Sequence, residues 1–177
     1  MKRTLFAAVV VSVAALSTAC TTGGTAKPDP TSGSTSTGTT GTASGLEAIK
    51  PCDLLTQTEA TGLGLAHPGE AEKTGTADGC QWTISGDGGV STGIRTKAGV
   101  KDLNISGDKN TDVKVGKFDA VKSEGFEGAK NICALWISVT ETSSVSVIAN
   151  VDLSSTDMVK ACDRAAKAAD FVAAKLP

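Results

Sequence analysis

From residue 80 onward the chain alternates apolar and polar side chains, the period of a strand with one buried face. Cys80, Trp82 and Ile84 share one face and Gln81 and Thr83 the other. Gly86-Asp87-Gly88-Gly89 supplies a turn, and residues 90–96 read as the returning strand of a hairpin. The clearest alternation comes later. Over 133–140, Cys133, Leu135, Ile137 and Val139 point one way and Ala134, Trp136 and Ser138 the other. Residues 141–144 turn the chain, and Val145, Val147, Ala149 and Val151 form a second apolar face. Between the two hairpins, residues 112–122 predict one strand broken near Gly116, and 100–105 suit a helical turn. Residues 67–79 read as loop.

Helical signals flank this β-rich stretch. Thr56 and Glu59 have the spacing of a capping box, which satisfies two orphan backbone donors, and Leu55 stands where it can staple onto Ala60. Gly62 and Gly64 keep that helix short, and Leu63 and Leu65 then pack inward. At the far end, Ser154 and Asp157 repeat the capping spacing, with Leu153 set to staple onto Met158. Met158, Cys162, Ala165, Ala169, Val172 and Leu176 recur at four-three spacing, one apolar stripe on a longer helix. The pattern predicts an α+β fold: an antiparallel sheet of about five strands with a short N-terminal and a longer C-terminal helix. A β-sandwich with one terminal helix is the alternative.

The N-terminus changes the setting. Lys2 and Arg3 precede an uncharged run over residues 5–16. That run is too short for a bilayer core, which needs about 20 apolar residues, and suits the apolar part of an export signal. Ser17, Thr18 and Ala19 then lead into Cys20. This resembles the lipobox of bacterial lipoproteins, whose cysteine takes a diacylglyceryl group and becomes the new N-terminus, although Ser17 stands where Leu is commonest. The alternative is an ordinary cleaved signal with a free cysteine beside it. Two acyl chains hold a protein stably at a membrane. Residues 1–19 are thus expected to be a signal peptide and 20–45 a lipidated cysteine with a linker. Of the 25 residues from 21 to 45, nine are Thr, six Gly and four Ser, too few apolar groups to fold. As a flexible chain this leash spans ~28 Å. Residues 46–177 remain as a single extracytoplasmic domain.

Composition narrows the partners. Loss of 1–19 takes two of 17 basic side chains and none of 19 acidic ones, leaving a net charge of −4. No basic patch invites nucleic acid. The expected contacts are the membrane, through the diacylglyceryl anchor, and an envelope ligand or membrane-protein partner, with no cofactor. Beyond Cys20 stand Cys52, Cys80, Cys133 and Cys162, an even number in an exported chain, hence two disulfides. Four cysteines allow three connectivities. Cys162 lies on the helical stripe and Cys133 on the Leu135 face, so a Cys133–Cys162 bond would clamp helix to sheet. Cys52–Cys80 would then tie the first helix to the first strand.

Pro51-Cys52-Asp53-Leu54-Leu55-Thr56, Gly79-Cys80-Gln81-Trp82, the late Cys133 strand and Ala161-Cys162-Asp163 at the opening of the last helix resemble the actinobacterial lipoproteins called domain of unknown function 3558. The resemblance covers residues 46–177. It implies an exported, usually lipid-anchored domain and no reaction.

Candidate chemistry is sparse. His67 is the sole histidine, beside Pro68 in a polar loop with Glu70 and Glu72 nearby. A hydrolytic triad would have to use it, and a surface loop is the simpler account. Lys73-Thr74-Gly75 and Ser106-x-x-Lys109 match fragments of the penicillin-recognising enzymes in reversed order, without the Ser-Asp-Asn element. Residues 108–119 start like a calcium loop, but Val113 stands where Gly is needed and Asp119 where Glu is. Trp136 lies opposite the Leu135 face. It is expected under the first helix and the Leu63/Leu65 segment, or else as an exposed apolar patch marking a binding surface. Trp82 poses the same question on the Cys80 face. Three readings follow: a binding or accessory module at the cell envelope, a protein-interaction subunit of a membrane complex, or a hydrolase. We rank them in that order and expect no enzyme.

Overall fold

Each strand pairs with its neighbour in sequence except once, and that exception sets the architecture. The computed structural model describes residues 43–177. The expected signal, Cys20 and the linker up to residue 42 lie outside the described residues. Seven strands form one sheet: β1 (Glu70–Thr74), β2 (Ala77–Thr83), β3 (Gly89–Arg95), β4 (Lys109–Val115), β5 (Phe118–Glu124), β6 (Ile132–Thr140) and β7 (Ser143–Asn150). Their order is β1-β2-β3-β7-β6-β5-β4, and every pairing is antiparallel. Two meanders, β1–β3 and β4–β7, are thus stitched together where β3 lies beside β7.

The sheet has seven strands where the alternation predicts about five. β1 falls in the expected loop; it is a wet edge strand, Glu-Ala-Glu-Lys-Thr, with no buried residue, so it has no apolar period to read. The expected broken strand is a hairpin, β4–β5, turning at Gly116, whose φ of 56° is the left-handed conformation glycine adopts freely.

The register gives the sheet two unlike faces. Cys80 and Trp82 on β2, Val90 and Ile94 on β3, Val145, Val147 and Ala149 on β7, and Cys133, Leu135 and Ile137 on β6 lie side by side on one face. Two helices cover that face: α1 (Gln57–Gly62) and α2 (Met158–Ala173). α1 opens with the expected capping box, the Glu59 amide donating to Thr56 Oγ1 at 3.3 Å and the Thr56 amide to Glu59 Oε2 at 2.8 Å. At six residues it is a single turn and a half, less than a full N-terminal helix. Leu54, Leu55, Ala60 and Leu65 around it are buried. α2 buries Ala161, Ala165, Ala168, Ala169 and Val172, whose small side chains let the helix lie close on the sheet. Its N-cap is Asp157, accepting from the Lys160 amide at 2.9 Å, and not Ser154. The Ser154 amide instead donates to Asp152 Oδ1 at 2.8 Å, an Asx turn that swings Leu153 outward to 90% exposure and cancels the expected staple.

Both disulfides join the covered face to its cover. Cys52–Cys80 ties the 3₁₀ turn Pro51–Leu54 to β2, and Cys133–Cys162 ties β6 to α2. Ser44, near the start of the described residues, is already buried. There the chain meets its own end, for a Cβ on Gly45 would lie 3.0 Å from Pro177 Cγ.

The single crossover, residues 96–108, must travel from β3 to the far edge. It does so across the face that carries no helix. The Ser144 hydroxyl on β7 donates to Ala98 O at 2.7 Å, and the turn Val100–Asp102 lies against β6. Asn110 on β4 donates to Ile105 O at 3.1 Å. Glycines let this strap hug the sheet: a Cβ on Gly99 would stand 2.0 Å from Glu141 O, and one on Gly107 2.1 Å from Ser123 Oγ.

Candidate ligand-binding site

The strap divides the helix-free face. Over β5, β6 and part of β7 that face is roofed. Trp136 lies beneath, 5% exposed, with the Phe126 ring tilted against it at 5.4 Å. The cover is therefore the strap and Phe126, not α1 and the Leu63/Leu65 segment, which pack on the opposite face. Trp82 is 1% exposed on the α1 side, and a Cβ on Gly69 would lie 2.5 Å from its Nε1. Both tryptophans are buried, as the first of the two readings expects, and neither forms the exposed patch of the alternative.

Over β1, β2, β3 and the open part of β7 the same face is bare. Strand alternation places Glu70, Glu72 and Thr74, then Ala77, Gly79 and Gln81, then Ser91, Gly93 and Arg95, then Ser146 and Ile148 on it. Gly79 and Gly93 stand directly opposite each other. Without side chains they form the floor of a notch of about 40 Å³, lined also by Glu72, Ala77, Ser91, Arg95, Ser146 and Ile148. One water needs only ~10–15 Å³ by the same kind of measure.

Arg95 forms one wall. Its Nη1 donates to Ser146 Oγ at 3.1 Å, and its Cζ lies 5.3 Å from the centre of the Trp136 ring, at the margin of the roof. A cation over an indole face gains ~0.5–2 kcal/mol. Yet among the described residues no carboxylate lies within 4.0 Å of it. Burial holds the guanidinium below its ordinary pKa, with no anion to offset the effect. Glu72 forms the other wall, half-buried, with no side-chain hydrogen bond or ion pair among the described residues.

Two further charge clusters tie α2 to the rest of the fold. Arg164, 8% exposed on α2, donates to Asp87 Oδ2 at 2.8 Å, to Asp87 O at 2.8 Å and to Asn150 O. Lys160 also meets Asp87, at 2.8 Å, and these hydrogen bonds hold the Asp87 carboxyl below its usual range. Lys175 reaches Glu59 at 2.6 Å and Leu54 O at 2.9 Å, joining the end of α2 to α1. Burial raises the Glu59 pKa, but hydrogen bonds from Lys175 and Thr56 outweigh it and hold it low.

The sequence candidates scatter. His67 is exposed and makes no side-chain hydrogen bond among the described residues. Lys73 pairs with Asp78 at 3.0 Å on the β1–β2 hairpin, and Ser106 lies in the strap. Residues 109–115 are strand β4, so Asp108, Asn110 and Asp112 are strung along a hairpin and do not wrap a calcium loop. Among the described residues no cluster of three His, Cys, Asp or Glu could hold a metal, and no helix is long and apolar enough to cross a membrane. The sequence reading names Glu72 only as a neighbour of His67, and does not name Arg95. The signal available was Arg95 following Ser91 and Gly93 at period two, on the face away from Ile94.

A family model described as "Protein of unknown function (DUF3558)" matches residues 15–175, and the chain belongs to that family. Comparison with curated proteins gives no match, and comparison with solved structures gives none.

Proposed function

We propose that this family member is a binding module without catalytic activity, held at the extracytoplasmic face of an actinobacterial cell membrane by a diacylglyceryl group on Cys20. Residues 20–45 serve as the lipidated cysteine and linker. The observation that carries the binding reading is the bare half of the helix-free face. There a disulfide-supported sheet presents charged and hydroxyl side chains around a notch, and among the described residues the half-buried cation has no anionic partner. Unpaired buried charge costs stability, so its presence on such a surface favours a ligand that completes it.

The test is crosslinking of the native, membrane-anchored chain followed by mass spectrometry of what is captured. Recovery of a lipid, glycan or peptide of the envelope supports the module. Recovery of nothing above a Cys20→Ser control released from the membrane overturns it. Intact mass of the native product decides the anchor, since an unmodified Cys20 removes it.

A second reading, a subunit that docks on a membrane protein, is favoured by a different surface. Leu153 and Val159 are 90% and 72% exposed around the start of α2. On this reading the captured species is one protein, and Val159→Glu abolishes its capture.

A further inference from the structure

The notch holds two opposite charges that do not meet. A Cβ built on Gly93 would lie 3.6 Å from Arg95 Nη1, and one built on Gly79 would lie 3.3 Å from Glu72 Cγ. The two glycines face each other across one strand pairing, a step of ~4.7–4.9 Å. Arg95 and Glu72 thus stand on either side of a gap a few atoms wide. A guanidinium has five N–H donors, and Arg95 uses one of its five, on Ser146 Oγ.

We infer that this notch binds a free α-amino acid, with the carboxylate on Arg95 and the ammonium on Glu72. The inference rests on the binding-module reading and names its ligand chemistry. Planar carboxylate matches the fork of a guanidinium. A phosphate or other multiply charged anion is opposed by Glu72, and a simple cation by Arg95. Only a ligand carrying both signs at adjacent atoms satisfies both walls. Ser91 and Ser146 supply hydroxyls at the floor, and Ile148 offers an apolar wall to a short side chain. The notch admits the head group alone, so the rest of the ligand lies along the open face over Gln81 and Ser91.

Trp136 reports on occupancy because Arg95 sits on its ring. The full chain, ¹⁵N-labelled in detergent micelles, is titrated with glycine, acetate, methylamine and inorganic phosphate while the two indole N–H signals are followed. Trp82→Phe assigns them; if that variant misfolds, the signal moved by Arg95→Gln is that of Trp136. Glycine is expected to shift the Trp136 signal saturably and leave Trp82 still. Acetate should bind more weakly, and methylamine and phosphate not at all. Arg95→Gln and Glu72→Gln should each weaken glycine about tenfold or more, as loss of a charged hydrogen bond does. Gly93→Val, which fills the notch and leaves both charges, should abolish the shift. A Trp136 signal unmoved by glycine overturns the inference. So does a response to phosphate as strong as that to glycine, or one that Glu72→Gln leaves unchanged. If glycine fails but Arg95→Gln captures the same envelope component as the native chain in crosslinking, the module stands and the notch alone falls. If both fail, both fall.

Discussion

Arg164 and Arg95 are set in opposite surroundings on opposite sides of the sheet. Arg164 lies on the helix side with a carboxylate and two backbone carbonyls on its donors, and it locks the β2–β3 turn to α2. Arg95 lies on the bare side with one serine hydroxyl and an aromatic ring. A satisfied buried cation contributes to the fold. Arg95, half-buried and with no anion beside it among the described residues, is held by weaker contacts alone. On the proposed binding reading, the difference separates a charge used by the fold from a charge offered to a ligand.

Four perturbations break or sharpen that contrast. Replacing both Cys133 and Cys162 by Ala should have the largest effect, about 2–4 kcal/mol lost in chemical denaturation. It strikes the helix side alone, so the Arg95 response to glycine should survive wherever the variant stays folded. Arg164→Met should cost about 1–3 kcal/mol, because it leaves buried carbonyls and Asp87 without their donor. A loss below half a kcal/mol would show that the lock is ornamental.

Acid provides the third. Asp87 and Glu59 have folded-state pKa values below their unfolded ones. The stability they contribute is complete above the ordinary carboxylate range and is lost as pH falls through the depressed values. Denaturation midpoints should therefore drop below about pH 4. The drop should be shallower in Arg164→Met and unchanged in Arg95→Met. Equal slopes in all three chains would remove the link to Arg164. The smallest effect belongs to Arg95→Met, where stability should stay within about half a kcal/mol of native or rise. A loss like that of Arg164→Met would make Arg95 a structural residue and dissolve the comparison.

What the sequence let one read follows the same division. Burial writes a period into a chain, so β6 and β7, apolar on the helix side, were legible from alternation alone. So was the Thr56/Glu59 cap, a purely local hydrogen-bond pattern. The cysteine pairing was legible once Cys133 and Cys162 were placed on facing surfaces. β1 was not, because a wet edge strand obeys no burial rule. The cover over Trp136 was not, because it depends on the path taken by residues 96–108 across the sheet, a matter of topology. The notch needed both kinds of knowledge. Arg95 and Ser146 are 51 positions apart, and only the β3–β7 pairing brings them together.

Gly45 against Pro177 has a consequence of its own. The two ends of the described chain touch like the clasp of a necklace, and the chain order between them becomes a convention. A loop tip such as Gly86 could serve as a new beginning, with Pro177 spliced to Ala43 by a few residues, and the same seven strands would still find the same neighbours.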